Sequence, residues 1–199
     1  SIADGAALMT GTEVKVKVYS GVSNLVGNRP LEEIMQREFD KLGPVPFDAD
    51  DSGFANEIRQ TLTKDDIAAS FQRVGRETPA DLPLCDFVAP LDRTSSGGEG
   101  STDVGDVSWV VPTVQARVAT CAVGTPFHTW QTVAQGKAPA AHKGMIHAAK
   151  VMAATASALI QSPETIEAAR TVHNDRQVKT PYQCPIPREV SPPIITKPE

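Results

Sequence analysis

Cysteine is scarce in this sequence. Cys85, Cys121 and Cys184 are the three in 199 residues. They are odd in number, far apart and in no C-x-x-C pairing, which excludes a disulfide scaffold and a structural zinc knuckle. Positive charge is in deficit: 19 Lys and Arg against 24 Asp and Glu give a net charge of −5 and a pI near 5.4. The cations are scattered singly, so the footprint of a nucleic-acid binder is missing. No apolar run comes close to the ~20 residues that a membrane span needs, and the mean hydropathy is −0.21, which excludes a membrane-spanning helix. The chain opens Ser1-Ile2-Ala3-Asp4-Gly5 with no initiator Met, basic leader or signal-peptide core. No address is visible, and a cytoplasmic piece of something longer is expected.

What is present suits one medium domain, or one and a half small ones, with 40% apolar residues to build a core. Residues 3–9 read as the last turns of a helix, closed by Gly11 at the position where a left-handed residue is usually wanted. Residues 13–19, EVKVKVY, alternate valine with charge, the period of a strand with one wet face. Pro30 with Glu32 and Glu33 marks a helix start. Leu31, Ile34, Met35, Phe39 and Leu42 then share a face, and Gly43-Pro44 stops it. Residues 48–62 and 64–74 are weaker helical stretches. Residues 85–88 form an apolar piece of strand length. Residues 107–111 and 114–123 are β-branched runs split by Pro112, the second alternating well enough for a sheet strand. Residues 139–161 are the longest helical candidate, with Met145, Ala149, Met152, Ala156 and Leu159 or Ile160 on a stripe suited to packing on a sheet. The tail from Lys179 is rich in proline, which blocks helix and ladder alike, and reads as an extended strap. Mixed strands and helices imply a layered α/β domain.

Three places carry candidate chemistry. The loop over residues 97–106, GGEGSTDVGD, has glycines that let backbone approach a ligand and polar Ser101, Thr102 and Asp103. It lacks the Lys of a phosphate-binding loop and the glycine spacing of a nucleophile elbow, and a tight connection is the competing reading. Residues 124–130, GTPFHTW, end a presumed strand, where ligand sites of α/β sheets gather. His128 there is either a metal ligand or proton shuttle, or a loop histidine bonded to backbone. His142 and His147 are five apart, so no turn of helix sets them side by side and no H-E-x-x-H motif exists. His173 lies in a polar helix end expected to be exposed. Ser1 as an N-terminal nucleophile is a minor alternative, since it leads into a helical stretch.

The strings GSTDVGDVSWVVPTV (100–114), GTPFHTW (124–130), AHKGM (141–145) and YQCPIP (182–187) resemble the dinuclear-metal aminoacylase and glutamate-carboxypeptidase group of clan MH metallopeptidases. The resemblance extends over nearly the whole chain. It implies an α/β fold in which residues 1–20 are the last helix and strand of an α/β-sandwich lid and dimerisation domain. Residues 21–178 would be the C-terminal part of a zinc-peptidase-like catalytic domain, and 179–199 the strap. It further implies His128 as one ligand of a centre holding two divalent ions, Zn or Mn. Asp103, Ser101 and Thr102 match the family's signature on the site wall. Trp130, His142 and Lys143 are candidate substrate contacts by position and charge, while Arg117 is more simply a solvated side chain.

The other metal ligands of that family have no counterpart here, and Glu32-Glu33 fits a helix first turn rather than a catalytic pair. The expectation is therefore part of a metal-dependent amidohydrolase, inactive alone and completed by a missing N-terminal half as a second polypeptide or fragment. It would oligomerise through the lid and act on a small amide beside a carboxylate, such as an N-acyl amino acid or aryl-glutamate. The alternative is a non-catalytic binding or assembly module of the same fold.

Overall fold

The computed structural model describes residues 1–72, 74, 82–91 and 102–191. Among the described residues the regular elements are helices: α1 (Ile2–Thr10), α2 (Arg29–Leu42), α3 (Ala49–Arg59), α4 (Lys64–Gln72), α5 (Val104–Val110), α6 (Trp130–Gln135), α7 (Pro139–Ile160) and α8 (Pro163–Lys179). Local chemistry accounts for their ends. Gly11 closes α1 with φ 64°, its N–H reaching back to the Ala7 and Leu8 carbonyls, the left-handed stop that glycine adopts without a Cβ penalty. Pro30 and Glu32 occupy the first turn of α2, and Gly43, φ 72°, ends it. Asp48 and Asp51 cap α3 reciprocally: Asp51 N–H donates to Asp48 Oδ1 and Asp48 N–H to Asp51 Oδ2, each at 3.0 Å. A cap of this kind stabilises a helix by about 1 kcal/mol.

Packing then selects faces. The apolar stripe of α2 buries Leu31, Ile34 and Met35, and α2 lies against both α7 and α8, which also touch each other. A second cluster gathers Ala55 and Ile58 of α3, Leu84, Ala122 and Ala140, with Phe47 and Phe54 against it. The face of α7 turned inward is Ala140, Gly144, His147, Val151 and Thr155. This corrects the expected stripe: Met145 is 61% and Ile160 79% exposed. Gly144 explains the choice. A Cβ there would stand 2.1 Å from the Ala119 carbonyl oxygen, so the chain at 119–120 crosses α7 where the helix has no side chain.

The α/β expectation is overturned, because among the described residues there is no strand. Residues 13–19 belong to no regular element and are exposed throughout, with Val16 at 82%. Alternation alone does not make a strand, since the ladder needs a neighbour for its N–H and C=O groups. Residues 107–110 wind into α5 despite their valines, an instance of tertiary docking overriding β propensity. A Cβ on Gly105 would lie 2.0 Å from the Ser23 carbonyl oxygen, and Val26 N–H donates to Ser108 Oγ at 3.0 Å, so residues 23–26 are seated on α5. Residues 112–120 form no ladder, and 85–88 likewise form none. Next to these stretches, Val123 N–H donates to the Pro83 carbonyl at 2.8 Å. His173, expected at the surface, is 8% exposed within α8. Among the described residues no helix is long and apolar enough to cross a membrane.

Candidate functional site

Residues 122–129 form a loop that leads into α6 and is fixed from both sides. Gly124 has φ 96°, and a Cβ on it would meet Ile67 Cγ1 at 2.7 Å and Ile67 Cα at 3.0 Å, so only glycine lets the loop lie against α4. Buried Gln135 of α6 grips the loop entry: Ala122 N–H donates to its Oε1 at 2.7 Å, and its Nε2 donates to Thr125 Oγ1 at 3.0 Å. Thr125 Oγ1 in turn donates to the Ala122 carbonyl at 2.7 Å. Beyond the bend, the Pro126 carbonyl accepts from the hydroxyls of Thr129 and Thr132, each at 2.7 Å.

Between these clamps sits His128, in the left-handed region at φ 63°, the one non-glycine residue with positive φ among those described. That conformation costs a side-chain-bearing residue roughly 1–2 kcal/mol, and it persists because the flanking bonds over-determine it. The ring is exposed, between Phe127 at 68% and Trp130 at 59% exposure. An exposed imidazole on a backbone held in this shape makes no contribution to the core.

The other sequence-derived candidates lie in separate places. Thr102 and Asp103 stand at the start of α5. The Thr102 carbonyl accepts from Gly105 N–H at 2.9 Å, and Asp103 is exposed with no side-chain cap bond. Ser101 lies outside the described residues. His142 is exposed in the first turns of α7. Lys143 is half-buried and engaged: its Nζ donates to Asp48 Oδ2 at 2.5 Å and also to Asp51 Oδ2. The hydrogen bond from Lys143, followed by that from Asp51 N–H, brings the Asp48 carboxyl down to about 2, and the two carboxylates raise Lys143 above the ordinary lysine value. Beside this tether a hollow of about 140 Å³ is lined by Asp48, Asp50, Asp51, Phe54 and residues 138–140.

Among the described residues no hydrogen bond or ion pair joins the His128 loop to Thr102, Asp103, His142 or Lys143. Nor, among them, does any group of three or more His, Cys, Asp or Glu stand close enough to hold a metal ion. One imidazole does not make such a centre, so the described residues do not fit a resident metal unaided. Gln135, the residue that clamps the loop, carries no signal in the sequence, where a glutamine five residues beyond Trp130 belongs to no motif.

No family model matches the chain, and no solved structure matches it. A protein of Escherichia coli (strain K12), the B component of p-aminobenzoyl-glutamate hydrolase, is 39% identical to it over 201 residues, a match covering 96% of this chain. This chain is therefore similar to that hydrolase component over nearly its whole length. It spans 42% of that relative's length. The resemblance read from GSTDVGDVSWVVPTV, GTPFHTW, AHKGM and YQCPIP is thus joined by an identity that extends over nearly all of the chain. It is the helical arrangement above, and not a sheet, that displays those strings: the first runs into α5, the second forms the clamped loop, the third opens α7, and the fourth follows α8.

Proposed function

We propose that this chain is part of a metal-dependent amidohydrolase, contributing His128 to a centre whose remaining ligands come from another polypeptide. The observation that carries the reading is the identity to a component of p-aminobenzoyl-glutamate hydrolase, and the exposed, clamped His128 is its structural support. The substrate class is an amide next to a carboxylate, of the p-aminobenzoyl-glutamate or N-acyl amino acid type, and two divalent ions, Zn or Mn, suit mixed nitrogen and oxygen donors. Ser101, Thr102, Asp103, Trp130, His142 and Lys143 are the proposed wall and substrate contacts. Lys143 would reach a substrate only by leaving Asp48 and Asp51.

The need for a partner is supported by uncovered apolar faces. Helix α1 buries no residue, and α7 leaves Met145, Met152 and Ile160 in solvent, the kind of surface that marks a contact between chains. The partner is proposed to be the N-terminal half, with residues 1–20 in a lid that joins copies of the protein, residues 21–178 in the catalytic unit and 179–199 as its strap. Three free cysteines agree with the reducing cytoplasm as its compartment. Native mass and metal analysis of the purified material test the reading. A second polypeptide with about two ions per pair, lost in His128→Ala along with glutamate release from p-aminobenzoyl-glutamate, is the expected result. A lone, metal-free 21.2 kDa chain would refute it and leave a binding or assembly module.

A further inference from the structure

Tyr182 joins the segment that follows α8 to α5. Its ring stacks on Trp109, with centroids 6.4 Å apart and planes 27° apart. Its hydroxyl donates to Asp106 Oδ1 at 2.8 Å, and its backbone N–H donates to Gln177 Oε1 at 3.0 Å. The second oxygen of Asp106 accepts from Ser23 N–H at 3.1 Å. One carboxylate therefore ties together three stretches that are distant in sequence. Around it, Trp109 Nε1 donates to the Asn24 carbonyl at 2.9 Å, and a Cβ on Gly21 would touch Pro185 Cβ at 3.0 Å.

A seven-residue helix such as α5 does not hold itself together in water, because nucleation costs more than so few bonds return. Residues 180–187 have neither helix nor ladder. Each depends on the other, and the bond between them is charge-assisted, roughly twice as strong as a neutral one. We propose that Tyr182 is a latch: its hydroxyl on Asp106 locks residues 180–187, α5 and residues 21–28 into one cooperative unit, so that releasing the segment after α8 frees Thr102 and Asp103 at the start of α5. The bonds from Ser23 first and Tyr182 second hold the Asp106 carboxyl below its ordinary range, while Asp106 pushes the Tyr182 phenol up to about 12. The donor keeps its proton and the acceptor its charge. The bearing of the latch on a site wall rests on the proposed function, whereas the latch itself does not.

Hydrogen exchange of the full chain in rising urea tests it. In the wild type, the hydrogen-bonded amides of Ser23 and Val26, of α5 and of Tyr182 are expected to share one denaturant dependence, as a cooperative unit does. Tyr182→Phe keeps the ring stack and is expected to speed exchange of those amides about tenfold, the effect of one lost bond to a charged group, with peptides of α3 and α7 unchanged. The Tyr182 amide exchanging freely in the wild type while those of α5 stay protected would overturn the latch, as would a Tyr182→Phe pattern that is unchanged or equally faster everywhere. Should that variant not fold, the wild-type measurement decides alone. A failed metal or mass assay leaves this test untouched.

Discussion

Replacing Gly144 by alanine sets two effects of opposite sign against each other inside one helix. In a solvated helix interior, Gly→Ala gains about 1 kcal/mol from backbone entropy and propensity. At Gly144 the new Cβ would stand 2.1 Å from the Ala119 carbonyl oxygen and 2.8 Å from Thr120 Cγ2. The first of these is backbone and has no rotamer to change. The crossing segment must retreat by about 1 Å, the regime in which overpacking costs typically 1–3 kcal/mol. The upper end applies because the obstructing atom is rigid, and the net is a loss of about 2 kcal/mol, which lowers Tm by roughly 4–8 °C in a chain of this size. Gly53 in α3 is the control: a Cβ there meets nothing within 4 Å, so Gly53→Ala is expected to gain about 0.5–1 kcal/mol. Urea titration and thermal melts of both variants read the signs. If Gly144→Ala is as stable as the wild type or more so, residues 119–120 do not lie against α7.

Three further outcomes follow from single contacts. Asp48 has a depressed carboxyl pKa, about 2 against 3.8, so its contribution to stability is present above pH 3.8 and fades as pH falls toward 2. Lys143→Met is expected to return that carboxyl toward its ordinary range by carboxyl NMR titration and to flatten this part of the pH profile. His128→Gly is expected to exceed His128→Ala in stability by about 1 kcal/mol in urea unfolding, because only glycine takes φ 63° without strain; equal values would mean that the backbone is not held there. Gly105→Ala, whose Cβ would fall 2.0 Å from the Ser23 carbonyl oxygen, is expected to lower Tm by an amount comparable to Gly144→Ala and to accelerate exchange in residues 21–28.

The loop that presents His128 is half legible in the sequence. Gly124 and Pro126 mark a fixed bend before a histidine, but its left-handed backbone depends on hydroxyl bonds to the Pro126 carbonyl and on Gln135. Lys143 reads as free to meet a substrate because its partners Asp48 and Asp51 are 95 and 92 residues away, a separation that no local pattern spans. His173 sits in a polar stretch of sequence, and its burial follows from where α8 meets Trp109: its Nε2 lies 3.2 Å from that carbonyl.

Local signals in the chain set the stops of α1 and α2 and the starts of α2, α3 and α7, since Gly11, Pro30, Gly43, Asp48 and Pro139 act within a few residues of their own position, through backbone angles and orphan N–H groups. The likeness to a known hydrolase component is likewise carried by the sequence, at 39% identity over 96% of the chain. The tertiary structure decided everything that needs a partner distant in the chain. A run of alternating valines becomes a strand only beside another strand, so residues 13–19 stay outside any regular element and exposed. The valines at 107–110 become helix because residues 23–26 sit on Gly105 and Ser108. The inward face of α7 was set by steric room at Gly144, and not by which of its faces is more apolar.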